Sequence, residues 1–480
     1  MKANLPAIEI NPAKIKSLGG AKKAIDRLIN AFEELASQVR KLIAENERLK
    51  RENERLRKQS KKPLFDKKAK SQDYSASKKL ERKSSSWRKS RKKKKIKINS
   101  QVRLEETETC SCGSQKFTLI RTWEKIVQGI EIRRNNIKYL GRDKKCLHCG
   151  KIHRSIIPEN IRDKEFDSNL TAWVSVLKHD CRFSQLLIHK FLTSLGIIIS
   201  RGQIDNILLE NSKKLEDPYS CLRFQGIKRS QYLNSDATGF KRRTPDGKFI
   251  NQHLHFAGHQ FLSLFKITRK YNSATLANRV LGKQAEDKLY ISDDASANGQ
   301  RLLVDKKQLC WLHEIRHFLK LEPQVKINKQ RLDKIISQLW EFYHQCQHYS
   351  RDPTKKKKNS LKKQFKFITS QKTGYDKLDR RLILTGRKED RLLLFLNYPG
   401  LPIQNNLAER DLRPAVIIRK LSGGTKSKKG DRSFERHMSI IQTARKQGLN
   451  VFETLHGFLT NQLNPATLTV KTTPHIRHFT

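Results

Sequence analysis

Long apolar runs are missing from this sequence. None approaches the ~20 residues that a membrane-spanning helix needs, and the N-terminal stretch lacks the apolar core of a signal peptide. No membrane partner is expected, and a cytosolic setting is the economical one. Acidic residues are scarce: 47 Asp and Glu stand against 101 Lys and Arg, a net charge of +54 over 480 residues. That imbalance favours a polyanionic partner, because each phosphate neutralised by a cation releases condensed counterions and so drives binding. Cysteine is confined to eight positions. In a reducing cytosol these are expected to be metal ligands or core residues rather than a disulfide framework.

At 480 residues the chain is too long for one ordinary core and divides into several units. Residues 1–20 form an N-terminal tail. Residues 21–57 carry five heptads, with Ile25, Phe32, Val39, Asn46 and Asn53 at a and Leu28, Leu35, Leu42, Leu49 and Leu56 at d. This pattern predicts a coiled coil, and the asparagines at a favour a parallel homodimer. The remaining faces are polar and leave no second side to bury. Residues 58–100, mostly Lys, Arg and Ser, cannot form a core and read as a flexible basic linker that tracks phosphates.

Residues 101–158 contain Cys110-Ser111-Cys112-Gly113 and Cys146-Leu147-His148-Cys149-Gly150. Two cysteine pairs, each followed by a turn glycine, resemble the knuckles of a zinc ribbon, with four sulfurs for tetrahedral Zn²⁺. Residues 159–228 are helical in pattern. Within them one helix is expected to end near Ser194-Leu195-Gly196, and Ser200 to cap a second that begins with Arg201 and Gln203. This resembles a helix-turn-helix, which would place Arg201 and Gln203 against DNA. A plain helical hairpin is the competing reading.

From residue 229 the pattern turns to strands: Gln231–Asn234 leading to Asp236, then Phe249–Ala257 and Phe261–Thr268. A helix over Ser273–Leu281, a strand over Lys288–Ser292 ending at Asp293, and a strand over Gln308–Leu312 follow. This is the layout of an RNase H-like sheet, split here into 229–319 and 401–460 by a helical insertion at 320–400, with a C-terminal tail at 461–480. In such a sheet the first and fourth strands are neighbours, so Asp236 and Asp293 converge, and Glu409 comes from a later helix. Carboxylates so placed suit two Mg²⁺ (or Mn²⁺) ions, which activate a water or a 3′-hydroxyl beside a phosphate. Arg410, Arg413, Arg419 and Lys420 have helix-face spacing beside Glu409 and read as phosphate contacts. Asn405 and Asn406 read as caps of that helix. Cys310, Trp311, His313 and Arg316 read as packed, hydrogen-bonded support.

The blocks NSDATGF, ISDDASAN, CWLHEIRHF and NNLAERDLRP with its continuation IIRKLSGG run in the order found in the IS66 family of DDE-type transposases. With the zipper, the basic linker and the cysteine pairs, the resemblance covers nearly the whole chain. It implies a multidomain α+β protein that cleaves insertion-sequence ends and joins them to target DNA. It also implies Asp236, Asp293 and Glu409 as the metal-binding triad, and small accessory proteins as partners. Three departures stand out. The first cysteine pair is one residue short of Cys-x-x-Cys, Ala237 replaces a usual glutamate, and Asp294 replaces a usual glycine. The last leaves Asp293 and Asp294 as alternatives, Asp293 following directly on the strand and Ser292.

Overall fold

The computed structural model describes residues 17–58, 134–158, 164–269, 281–285, 287–293 and 306–473, with isolated positions between and beyond these segments. Cys110, Cys112, Asp294, most of the basic linker and most of the expected helix over Ser273–Leu281 lie outside the described residues. The chain forms two compact units, one of residues 1–42 with 133–480 and one of residues 43–132.

Helix α1 spans Leu18–Lys58. Along its first half the a and d side chains face solvent, from 40% exposed at Leu35 to 63% at Phe32. The buried side is polar, contrary to the expectation that the polar faces bury nothing. Glu33 is 1% exposed and accepts hydrogen bonds from the backbone N–H of Gln324, from that of Val325 at 2.9 Å, and from Asn328 Nδ2 at 3.2 Å. Those groups open helix α7 (Lys326–Tyr349), whose own N-cap, Val325, has no capping side chain. Glu33 thus supplies both the missing acceptor and a negative charge at the positive end of the helix. Asp26 pairs with Arg331 at 2.6 Å and Glu34 with Lys377 at 2.9 Å. A heptad helix can dock this way because b, c and f positions lie opposite the a/d seam.

Two short strands, β1 (Lys144–Lys145) and β2 (Ile152–His153), make an antiparallel hairpin around Cys146–Gly150. Helices α2 (Ser168–Ser175), α3 (Gln185–Ser194) and α4 (Arg201–Lys214) pack through Val174, Ile188, Leu192, Ile204 and Leu208, and α5 (Glu216–Cys221) leads to the sheet. Gly196 at φ +77° ends the α3 turn. Ser200 and Gln203 form a reciprocal capping box at the start of α4.

The central sheet has five strands: β3 (Tyr232–Arg243), β4 (Phe249–His259), β5 (Leu262–Thr268), β6 (Leu289–Ser292) and β7 (Lys307–Leu309). Their order is β5-β4-β3-β6-β7. The pairs β3–β4 and β4–β5 are antiparallel; β3–β6 and β6–β7 are parallel. Strand β3 runs through Asp236 rather than stopping before it. The last strand ends at Leu309, short of the expected Leu312, because Cys310 is already the N-cap of helix α6 (Trp311–Leu319).

Helices α10 (Asn406–Ser422) and α11 (Lys428–Gln447) lie on the sheet, where Ala408, Leu412, Ala415, Ile418, Phe434 and Met438 meet Phe240, Leu254, Phe256 and Phe265. Helix α12 (Val451–Leu459) joins Ile440 and Ile441 in a second cluster with Leu233, Leu264 and Tyr290. The inserted helices α7, α8 (Lys355–Thr369) and α9 (Asp376–Gly386) share one core with Ile291 and Leu309 of the sheet. Buried Gln308 fastens the far end of the insertion. It accepts from the Phe395 N–H at 2.9 Å and donates to the Leu392 carbonyl at 3.0 Å.

Strand β3 outruns β6 on one edge. Parallel pairing stops at Asn234–Ile291, and beyond it the free carbonyls of alternate residues point the same way. Helix α10 and its flanks occupy that edge. Asn405 donates to the Ser235 carbonyl at 2.9 Å, and Arg419 to the Gly239 carbonyl. Thr425 then exchanges backbone bonds with Lys241 and Arg243 at 3.2 and 2.8 Å. The glycines of the LSGG stretch allow this. Gly423 ends α10 in the left-handed region, and a Cβ on Gly424 (φ +107°) would stand 1.9 Å from the Lys241 carbonyl oxygen.

Candidate active site

Asp236 and Asp293 each lie two residues past the paired Asn234 and Ile291 on neighbouring parallel strands. Extending that register leads to Asp236 on β3 and to Asp293 just beyond the end of β6, and the Asp236 carboxyl feels the charge of Asp293. Asp236 is half-buried in mid-strand opposite Phe256, so it is no strand-end turn residue. Asp293 follows the last residue of β6 directly.

Glu409 projects from the first turns of α10, which is anchored at its start. Asn405 is at the N-cap position, but its side chain makes no capping bond. This corrects the expected role. Its Oδ1 accepts from Asn234 Nδ2 at 2.9 Å while its Nδ2 binds the Ser235 carbonyl. Its backbone N–H donates to Cys310 Sγ at 3.1 Å. One buried asparagine thus ties the Glu409 helix to the strand of Asp236 and to the start of α6. Asn406, the other expected cap, is exposed, and its amide contacts Gln404.

The site's electrostatics follow from this crowding. Burial pushes the Asp236 carboxyl up, to about 7. A hydrogen bond from the Ala237 N–H opposes the rise, and the nearby charges of Asp293 and Glu409 add to it. Burial likewise pushes the Cys310 thiol up, so it acts as a neutral acceptor for Asn405. Trp311 donates its indole N–H to the Leu392 carbonyl at 2.9 Å.

Helix α6 presents two groups to Glu409. Arg316 Nη1 stands 2.8 Å from Glu409 Oε1, and His313 Nε2 stands 3.3 Å from the same oxygen. Burial and the Arg316 charge lower the basicity of His313, offset in part by Glu409 and Asp293. Among the described residues, no three His, Cys, Asp or Glu side chains stand close enough together to share one metal ion. The donor set nevertheless suits a hard divalent cation: all three acids offer oxygen, and Asp236 is destabilised as an anion by burial and then by the charges of Asp293 and Glu409.

Arg410, Arg413 and Lys420 are exposed on α10. Arg419 is instead committed to β3, through Gly239 and through Thr238 Oγ1 at 3.2 Å. At the start of α4, Arg201 is exposed. Gln203 is used at both ends of its amide: Oε1 accepts from the Ser200 N–H at 2.7 Å and Nε2 donates to Glu165 at 2.6 Å.

Of the four cysteines read as zinc ligands, Cys146 and Cys149 lie on the β1–β2 turn. The Cys146 N–H donates to the Lys151 carbonyl at 2.8 Å and the Gly150 N–H to the Cys146 carbonyl at 2.9 Å. Gly150 has φ +72°. The backbone N–H groups of Cys149 and His148 point at the Cys146 sulfur and hold its thiol below the usual range, the polarity a thiolate ligand needs.

The sequence profile of the family described as "Transposase IS66 family" matches residues 164–433, more than half of the chain. The uncharacterized protein y4jO of Sinorhizobium fredii (strain NBRC 101917 / NGR234) is 32% identical over 169 residues. That match covers 35% of this chain and 51% of that protein, so the chain spans about half the length of this curated relative. The chain belongs to the IS66 family of transposases.

Proposed function

We propose that the chain is a DDE-type transposase, with Asp236, Asp293 and Glu409 as its metal-binding acids, that cleaves insertion-sequence ends and transfers the freed strand to target DNA. The observation carrying this reading is that Asp236 on β3 and Asp293 just past the end of the neighbouring β6 lie within reach of each other's charge, with the Glu409 helix anchored beside them by Asn405. The β5-β4-β3-β6-β7 order, three antiparallel strands followed by two parallel ones, supports an RNase H-like core.

Asp236, Asp293 and Glu409 would hold divalent ions, Mg²⁺ or Mn²⁺, which supply an activated oxygen nucleophile and stabilise the leaving oxygen. The protein's own part is positioning. Burial and the neighbouring acids keep Asp236 poor as a free anion and so favour a cation beside it. The exposed Arg410, Arg413 and Lys420 would hold backbone phosphates in line. Arg201 offers a further phosphate contact at the head of α4, whereas Arg419 and Gln203 serve the scaffold.

The exposed a/d seam of α1 supports a parallel homodimer, since its opposite face is already docked. The turn geometry at Cys146–Gly150 supports one half of a Zn²⁺ site; the other expected ligands, Cys110 and Cys112, lie outside the described residues. No helix among the described residues is long and apolar enough to cross a membrane, and the +54 charge suits a protein working at the nucleoid. Small accessory proteins of the element are further candidate partners.

A strand-transfer assay separates the readings. With pre-cut end DNA and Mg²⁺, the protein should join the 3′-hydroxyl to a target plasmid. Hydrolysis of intact ends without joining would mark a nuclease of the same fold. Binding of end DNA with neither reaction would mark a decayed, repressor-like protein.

A further inference from the structure

The contact between Arg316 and Glu409 is peculiar for a residue expected to hold metal. Arg316 Nη1 sits 2.8 Å from Glu409 Oε1, on an oxygen that a cation would use. The same nitrogen lies 3.2 Å from His313 Nε2, one helical turn away on α6. His313 Nδ1 is buried and has no hydrogen-bond partner among the described residues. The arrangement ends in solvent: the Arg316 and Glu409 side chains are 46% and 38% exposed. Among the described residues Asp236, Asp293 and Glu409 do not form a three-ligand group.

Resting on the reading of Glu409 as a metal ligand, we propose that Arg316 is an exchangeable counter-ion for Glu409. It holds the carboxylate in the metal-free protein and releases it to a divalent cation, its guanidinium then being available to a DNA phosphate. An ion pair this exposed is weak and can be displaced. Arginine suits the exchange because its planar fork matches carboxylate and phosphate alike, and because it stays charged at every working pH. The device is therefore competitive rather than titratable. It also couples the two ligands. DNA that engages Arg316 frees Glu409 for the cation, and cation that takes Glu409 frees Arg316 for DNA. By linkage each raises the other's affinity by the same factor. Arg316 is on this account a positioning residue, and its signature lies in metal affinity rather than in rate.

The test is calorimetric titration of the full-length protein with Mn²⁺, with and without a DNA duplex taken from the ends flanking its gene. Arg316→Gln should tighten Mn²⁺ binding in the absence of DNA by about two- to fivefold, the reach of an exposed ion pair. It should also remove the further tightening that DNA gives the unaltered protein. Arg316→Lys keeps the charge and should stay near the unaltered affinity, which guards against a folding defect in the glutamine variant. Glu409→Gln should weaken Mn²⁺ binding in every condition. If Glu409→Gln weakens binding but Arg316→Gln leaves it unchanged or weakens it, Arg316 merely orients Glu409 and the exchange is overturned alone. If Glu409→Gln binds Mn²⁺ as the unaltered protein does, the reading of Glu409 as a ligand falls and takes the exchange with it.

Discussion

Asn405 donates a 2.9 Å hydrogen bond from Nδ2 to the carbonyl of Ser235, the residue before Asp236. The two are 170 positions apart in sequence, and this bond, with its partner to Asn234, sets where the Glu409 helix begins. Asn405→Ala would leave the Asn234 amide and the Ser235 carbonyl buried without partners. A loss of about 2–3 kcal/mol is expected, read by urea unfolding. DNA cleavage should fall further than end-DNA binding, because the helix start shifts while the exposed arginines remain. A fully stable variant with unaltered cleavage would show that the tether is incidental.

Asp236 gives a pH dependence of definite sign. Its carboxyl is raised from about 3.8 to about 7 in the folded chain, so between those values the folded state binds more protons than the unfolded one. Stability in the metal-free protein therefore falls as pH rises from about 4 to about 7, and this contribution is flat on either side. Asp236→Asn removes the effect. Relative to the unaltered protein, it should gain stability as pH rises through that window and show no advantage at pH 4. Unfolding curves without metal at several pH values measure this. Parallel curves for both proteins would mean that Asp236 is solvated as an ordinary carboxylate.

The two faces of α1 should separate in their effects. Replacing Leu28, Leu35 and Leu42 together by Ala removes exposed d positions and should give a monomer in sedimentation equilibrium, with the melting of the main body unchanged. Glu33→Ala should leave self-association intact but weaken docking on α7 by about 1–2 kcal/mol, the usual worth of a helix cap with its charge. A chain that stays dimeric after the leucine changes would place the contact elsewhere.

Metal analysis checks the cysteine turn. One Zn²⁺ per chain is expected, lost in Cys146→Ser and in Cys149→Ser. Loss in Cys110→Ser and Cys112→Ser as well would identify the complete four-sulfur set. Zinc-free protein with four freely titrating thiols at these positions would contradict the ribbon reading.

What could be read in the sequence follows the range of the forces involved. Strands β4, β5 and β6 were legible because apolar runs are bounded by turns, and the α4 start because Ser200 and Gln203 make a local capping box. Asp236 proved to be inside a strand, since pairing with β4 continues through polar Thr238 and Lys241 to Arg243, which composition does not reveal. Asn405 looked like a cap from its neighbours, but its true partners lie on a distant strand. The same holds for Glu33, whose partners at the start of α7 are 291 to 295 positions away. Arg316 was legible as support, but its choice of Glu409 was not, because the helices bearing the two residues meet only in three dimensions.

The most direct test of the central claim is Mg²⁺-dependent cleavage of end DNA by Asp236→Asn, Asp293→Asn and Glu409→Gln, each assayed beside its binding of the same DNA. Each variant should bind the ends but fail to nick them. Cleavage at the unaltered rate by all three variants, with Mg²⁺ still required, would contradict that claim.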